Sequence, residues 1–167
     1  ITWANAEGIE VTVRKDPEKL ITTPASADVI LFDKIDAWTV RDVADVATLS
    51  TSLILNEGLA PPDTRLSIRG LGAYIGHPTV AQLLDGINFS SEALSFVGGS
   101  TLADYPFSDI ERVEVIKGPQ TVFYGPSAFA GAVQYVTQNP SATFQGSVRV
   151  EVGGDGHRDL QGTLSGP

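Results

Sequence analysis

The chain has 167 residues, of which 42% are hydrophobic, so it can bury the core of one ordinary domain. Its 11 basic and 20 acidic residues give a net charge of -9, which argues against nucleic acid as a partner because a phosphate backbone needs cations. Cysteine is absent, and His77 and His157 are the only two histidines, so the composition excludes a disulfide framework and a thiolate metal site.

Residues 1–27 form a polar arm with one short β-like patch, residues 9–14. Such a patch is either part of a flexible terminus or an extended segment that adds as a strand to a partner's sheet. The sequence starts without Met and without a basic and apolar leader, so we expect a mature chain after signal removal or a piece of a longer protein. No apolar run approaches the length of a transmembrane helix.

The next segments alternate between strand and helix patterns. The apolar residues 29–32 have the length of a strand, and Thr39 is placed to cap a helix. The apolar residues of that helix share one face and are Val40, Val43, Ala44 and Ala47. Residues 65–69 and 80–84 follow as strands. Strands interleaved with short helices predict an α/β (α+β) fold built on a small mixed sheet.

Two loops, residues 70–78 and 86–107, interrupt these strands. The second loop is long and rich in aromatic residues, and long loops on a rigid scaffold often carry binding residues. The alternative is that the aromatic side chains fold back onto the sheet, and the sequence leaves both interpretations open.

The most informative pattern follows the second loop. Valines alternate with charged residues over 112–117, which predicts a half-buried strand. Pro119 suits the start of a helical turn over residues 120–124, and Gly125 closes that turn. Residues 132–137 alternate again and predict another strand.

The last segment changes character. Residues 147–152 and 160–164 alternate apolar and polar side chains on either side of a glycine-rich turn. This alternation is typical of membrane barrel strands, although a water-soluble hairpin shows it too.

Catalytic interpretations find little support. The glycines at 118 and 125 lack the spacing of a phosphate-binding loop, and Lys117 precedes them where a Walker lysine follows. Asp85, Asp109 and His77 could be drawn as an acid–base set or a partial metal site, but Asp85 begins an Asp-Gly dipeptide that is typical of turns. We therefore predict no enzymatic activity, no catalytic residue, no metal and no cofactor.

Three glycine motifs occur in a fixed order: IRGLG at residues 68–72, LDGI at 84–87, and IERVEVIKGPQTVFYGPSAFAG at 110–131, which TQNP follows at 137–140. Together they resemble the plug domain of TonB-dependent outer-membrane receptors. The resemblance extends over about residues 10 to 140. A member of that family would use residues 1–27 as an N-terminal arm, residues 28–140 as the plug, and residues 141–167 as the first hairpin of a barrel that is otherwise missing from this chain.

The resemblance implies a function in transport. The plug would close its own β-barrel in the bacterial outer membrane, with the arm in the periplasm. It would open for energy-coupled uptake of a scarce or large substrate such as a ferric siderophore. The alternative is a soluble periplasmic ligand-binding or adhesion module, which leaves the barrel-like hairpin unexplained.

The resemblance also implies site residues. The segment similar to the TonB box, which would pair with the TonB C-terminal domain, contains Ile9, Glu10, Val11, Thr12 and Val13. We expect it to be loosely placed in the isolated chain. Basic residues that would lock the plug to the inner barrel wall are Arg69, Arg112 and Lys117. Alternatively these cations are solvated, or pair with Glu111 and Glu114.

Substrate contacts in this family come from the outward loops of the plug and from the barrel. The loop residues that we expect to touch the incoming substrate are Tyr74, His77, Phe89 and Phe96. The identity of the substrate is not predicted, because barrel residues supply many of its contacts.

Overall fold

The computed structural model describes residues 9–12, 18–19, 25–31, 42–56, 65–72, 77–90, 109–156 and 158–167. The strands and helices in chain order are β1 Glu10–Val11, β2 Glu18–Lys19, β3 Ser26–Leu31, α1 Val43–Leu49, β4 Leu53–Asn56, β5 Arg65–Ile68, β6 Leu71–Gly72, β7 Val80–Leu84, β8 Ile87–Asn88, β9 Ile110–Lys117, α2 Thr121–Tyr124, β10 Gly131–Thr137, β11 Gln145–Val152 and β12 Arg158–Ser165. Within these described ranges, no helix is both long enough and apolar enough to span a bilayer.

The largest sheet has five strands in the order β3-β9-β10-β7-β8. β10 runs parallel to β7, whereas the other neighbouring strands are antiparallel. A three-stranded antiparallel sheet, β4-β5-β6, and two hairpins, β1-β2 and β11-β12, complete the described strands. This mixed sheet with few short helices confirms the fold class predicted from the sequence.

Both faces of the five-stranded sheet are covered. The cluster on one face joins β9 and β10 to α1, β4 and β5 through Val113, Val133, Tyr135, Val46 and Ile68. The cluster on the opposite face joins the sheet to α2 and to the arm through Ile116, Ala132, Tyr124 and Val11. Burial raises the pKa of the Tyr135 hydroxyl, and the nearby Asp42 carboxylate raises it further, so this phenol stays protonated in the core.

The predicted strands over 65–69, 80–84, 112–117 and 132–137 are confirmed as β5, β7, β9 and β10. The four-residue strand β4 was missed, because its sequence LILN is too short to show a period. The alternation in β9 did not reveal that its polar positions also lie under a second layer. β9 is buried on both faces, and the predicted half-buried strand is therefore wrong in this respect.

Two predicted helix starts are also corrected. Asp42, and not Thr39, is the N-cap of α1, since its Oδ1 accepts hydrogen bonds from the amides of Ala44 and Asp45 at 2.8 and 3.0 Å. Thr39 lies outside the described residues. Pro119 precedes the N-cap of α2 and does not start the helix. Gly125 does close α2, with a positive φ of 84°.

Two tight turns in this fold share one unusual feature. Arg69 and Gly70 connect β5 to β6 with φ values of 53° and 78°, and Asp85 and Gly86 connect β7 to β8 with φ values of 47° and 82°. Positive φ at both central residues is the signature of the type I′ hairpin turn. The predicted Asp-Gly turn is thus confirmed.

The hairpin of β11 and β12 pairs over its whole length, from Gln145 opposite Ser165 to Val152 opposite Arg158. One face of this hairpin is apolar and exposed, and its large residues are Val148, Val150, Val152, Leu160 and Leu164. The predicted alternation is confirmed, because the polar residues occupy the other face.

We predict that Gly131→Ala destabilises the chain by about 3 kcal/mol. Gly131 has a φ of 155°, and a Cβ atom there would lie 2.8 Å from Ile68 Cδ1 and against the carbonyl oxygen of Ile116. The matched control is Gly162→Ala, since a Cβ at this strand glycine meets nothing within 4 Å and should change stability by about 0.5 kcal/mol or less. Urea titration measures both changes, and equal values for the two variants would contradict the prediction.

Candidate functional site

The part of the N-terminal arm that the structure describes at residues 9–12 lies on the five-stranded sheet. β1 pairs with β2 in antiparallel register, with Glu10 opposite Lys19. The side chain of Val11 is 0% exposed and packs in the cluster that contains Ile116 and Tyr124. Burying a valine in this way stabilises the docked arm by about 1.5 kcal/mol or more.

Thr12 is held by hydrogen bonds at three of its atoms. Its amide and its hydroxyl donate to Glu114 Oε2 at 2.8 and 3.0 Å. Its carbonyl oxygen accepts a short hydrogen bond from the Tyr124 hydroxyl. The backbone donor and acceptor of Thr12 are therefore both occupied by the domain on which the arm lies.

Glu114 is a charged residue in the middle of the five-stranded sheet. It lies in β9, and its side chain is 0% exposed. Arg112 balances its charge, with Nε donating to Glu114 Oε1 at 2.8 Å. A buried carboxylate is tolerated only when a cation and hydrogen-bond donors compensate for its lost hydration. Arg112 supplies the cation, and Thr12 supplies two of the donors.

The expectation of a loosely placed arm is therefore wrong for residues 9–12, whereas Val13 lies outside the described residues. Two contributions oppose undocking: the burial of Val11 and the charge-assisted hydrogen bonds to Glu114. No sign of this docking is visible in the sequence, because a glutamate between Val113 and Val115 also fits a half-buried strand with its polar face in solvent.

The three basic residues predicted to lock the plug have different surroundings. Arg112 Nη1 also lies 3.2 Å from Glu111 Oε1, so this guanidinium has two carboxylate partners in its own chain. Lys117 Nζ lies 2.6 Å from Asp28 Oδ1, and Asp28 Oδ2 accepts a hydrogen bond from Ser50 Oγ at 2.9 Å. For Arg112 this is the pairing that the sequence left open as the alternative.

Arg69 differs from the other two residues. It is exposed at the tip of the turn between β5 and β6, and its guanidinium has no carboxylate partner among the residues that the structure describes. Arginine is unfavourable at a φ of 53°, where glycine or asparagine would fit better. The turn thus holds an unpaired cation away from the core.

The residues predicted to touch substrate are only partly described. Tyr74 and Phe96 lie outside the described residues. His77 is exposed, while Phe89 packs against the core cluster that contains Val133. Phe89 therefore folds back onto the sheet, which is the alternative that the sequence left open for the aromatic residues of this loop.

Asp85, which could be drawn into an acid–base set from the sequence, has a structural role. Both carboxylate oxygens of Asp85 accept hydrogen bonds from Thr137, from its amide at 2.9 Å and from its hydroxyl at 2.8 Å. In the ranges that the structure describes, no group of three or more histidine, aspartate or glutamate residues is placed to hold a metal ion.

Solved structures with the same fold are transport receptors of bacteria. The ferripyoverdine receptor of the outer membrane of Pseudomonas aeruginosa, bound to ferripyoverdine, superposes with a TM-score of 0.78 at 19% identity, over 95% of this chain and 20% of that chain. The ferric yersiniabactin uptake receptor FyuA of Yersinia pestis superposes with a TM-score of 0.73 at 23% identity, over 86% of this chain and 22% of that chain.

The amino-acid sequence is also similar to that of bacterial transport receptors. Residues 19–132 match the TonB-dependent Receptor Plug Domain, and the chain belongs to this family. It is 28% identical over 152 residues to the vitamin B12 transporter BtuB of Vibrio vulnificus (strain CMCP6). That match covers 90% of this chain and 24% of the transporter, so the chain spans about a quarter of the length of this relative.

Arg69→Ala and Arg112→Ala should have very different effects on the stability of this chain. Arg69 is an exposed residue with no described partner, so its removal should change the free energy of unfolding by about 0.5 kcal/mol or less. Removing Arg112 leaves the Glu114 carboxylate buried without its cation, and we expect a loss of about 3 kcal/mol or more. A denaturant titration that shows a loss of several kcal/mol for Arg69→Ala would assign Arg69 to the plug's own core.

Glu114→Gln should loosen the arm. A neutral amide forms weaker hydrogen bonds with Thr12 than a carboxylate does, so protection of the Thr12 amide against hydrogen exchange should fall by about tenfold. The control is Glu111→Gln, which removes a carboxylate from the same strand that touches Arg112. Unchanged protection in Glu114→Gln, or an equal loss in the control, would mean that the carboxylate does not hold the arm.

Proposed function

We propose that the chain is the gate of an energy-coupled receptor in the bacterial outer membrane. Residues 1–27 serve as the periplasmic arm, residues 28–140 as the plug, and residues 141–167 as the first strands of the surrounding barrel. The observation that carries the proposal is the docked arm, in which Glu114 and Tyr124 hold Thr12. The gate binds and moves, and it performs no chemistry on its substrate.

The docked arm becomes available to a binding partner only after it is released from the plug. Strand addition to the TonB C-terminal domain needs free backbone donors and acceptors, whereas those of Thr12 are occupied by the plug. Undocking releases Val11 and Thr12 from the plug, so that the segment of residues 9–13 becomes available for strand addition. The pull of the inner-membrane partner then acts on a segment that has already left the sheet.

β9 offers a route from the substrate side to the arm. The long segment that follows β8 in the sequence leads to Ile110, the first residue of β9, and Glu114 lies in the same strand. A substrate that contacts this segment, or His77 and Tyr74 in the preceding loop, is placed to shift β9. A small displacement of Glu114 lengthens its hydrogen bonds to Thr12 and favours undocking.

The lock to the barrel rests mainly on Arg69. Its exposed guanidinium can form a bidentate pair with a carboxylate of the barrel wall. Arg112 and Lys117 remain predicted lock residues, but each would have to share its charge with a partner in the plug.

The substrate class is a scarce or large compound such as a ferric siderophore. Support comes from similar proteins, whose names specify ferripyoverdine, ferric yersiniabactin and vitamin B12. A soluble binding module is the weaker alternative, because the exposed apolar face of β11 and β12 suits the lipid side of a barrel wall.

The proposal is tested by Val11→Pro in the full-length receptor. Proline removes a backbone donor from the arm and blocks regular strand pairing, so energy-coupled uptake should be lost while substrate binding at the cell surface survives. The control is Val11→Ala, which shortens the buried side chain but keeps the donor, and it should retain uptake. Normal uptake by Val11→Pro would place the TonB-binding segment elsewhere in the arm.

A further inference from the structure

Asn88 connects three segments of the chain through one side chain. It is the last residue of β8, an edge strand of the five-stranded sheet. Its Nδ2 donates to the carbonyl oxygen of Tyr124 at 3.2 Å and to Ser127 Oγ at 2.9 Å. Its Oδ1 accepts a hydrogen bond from the amide of Ser90 at 2.8 Å. Both donors of the side-chain amide and its acceptor are therefore in use.

The helix α2 depends on such contacts from outside. It has only four residues, and the carbonyl groups at the C-terminus of a helix have no partner within the helix. A helix this short is not stable by itself, so side chains from elsewhere fix its position. Asn88 binds the carbonyl oxygen of Tyr124, the last residue of α2. Asn88 therefore helps to determine where Tyr124 lies.

Tyr124 contacts the arm through its side chain. Its hydroxyl donates to the carbonyl oxygen of Thr12, and its ring packs in the same cluster as Val11. One residue thus accepts a hydrogen bond from Asn88 at its backbone and donates one to the arm from its side chain. A shift of the Tyr124 backbone changes the geometry at the hydroxyl, and hydrogen bonds weaken steeply when their angle becomes unfavourable.

The two residues after Asn88 attach this part of the chain to β7. Ser90 Oγ accepts a hydrogen bond from the amide of Gln82 at 2.7 Å, and the amide of Phe89 donates to the carbonyl oxygen of Gln82 at 2.8 Å. Phe89 is also one of the residues that we expect to contact the substrate. A displacement of Phe89 or Ser90 therefore acts on Asn88, both through the backbone and through the hydrogen bond from the Ser90 amide.

We propose that Asn88 is a positioning residue, which keeps Tyr124 in place to hold the arm and shifts it when the segment after β8 is displaced. This inference rests on the proposed function, and it adds a route to the arm that does not pass through Glu114. The two routes act on different atoms of Thr12, because Tyr124 binds its carbonyl oxygen while Glu114 binds its amide and hydroxyl. Each route can weaken docking by itself.

The test measures hydrogen exchange of the arm in the full-length receptor by mass spectrometry. The peptide that is followed contains residues 9–12, and neither a partner protein nor a substrate is added. Asn88→Ala removes the hydrogen bond to Tyr124, so this peptide should exchange about fivefold faster. The matched control is Ser127→Ala, which removes the other acceptor of Asn88 Nδ2 and should stay within about twofold of the wild type.

Double variants separate a positioning role from a general loss of structure. Tyr124→Phe lacks the hydroxyl that binds Thr12, so Asn88→Ala should change arm exchange by no more than about twofold when it is added to this variant. Ser90→Ala removes the acceptor of the Gln82 amide, and it should speed exchange of the arm in the wild type but not in Asn88→Ala. Peptides from β10 report on the core and should keep their wild-type exchange rates in every variant.

Asn88→Asp provides a second variant, which is decisive if Asn88→Ala fails to fold. An ionised aspartate still accepts from the Ser90 amide but cannot donate to Tyr124, so it should free the arm as Asn88→Ala does. The inference is overturned if arm exchange in both variants equals that of Ser127→Ala, if their effects add to that of Tyr124→Phe, or if β10 exchanges faster in parallel. The proposed function is refuted separately, by normal uptake in Val11→Pro, because arm exchange is measured without the partner.

Discussion

A single buried carboxylate, Glu114, holds the arm against the five-stranded sheet. Both oxygens of its carboxylate need partners, and Oε1 is bound by Arg112 from its own strand while Oε2 is bound by Thr12, 102 residues away. Desolvation makes these contacts mutually dependent, because loss of either partner leaves a poorly solvated charge at the centre of the sheet. The arm, which we propose to be the segment that a partner binds, is thus also part of the electrostatic balance of the fold.

Local patterns predicted the strands well because each has a physical cause within a few residues. The alternation in β9 and β10, the Asp-Gly turn at residue 85 and the exposed apolar face of β11 all follow from side-chain period or backbone preference. The family itself could be predicted from three glycine motifs, since glycine is needed where the backbone is tight, as at Gly131.

Features that depend on distant contacts were not predicted. The docking of Thr12 on Glu114 and the pairing of Lys117 with Asp28, 89 residues apart, leave no periodic trace in the sequence. The cap of α1 was misplaced for a different reason, because threonine and aspartate are both favoured N-cap residues and the local sequence offers Thr39 as well as Asp42.

The hairpin of β11 and β12 has a consequence for the biogenesis of the protein. Neither core cluster includes a residue after Tyr135, and each strand of this two-stranded sheet has one edge without a neighbouring strand among the described residues. Free edges beside an apolar face are templates for pairing with other chains. A newly made chain that has folded both core clusters would therefore still expose this hairpin to aggregation.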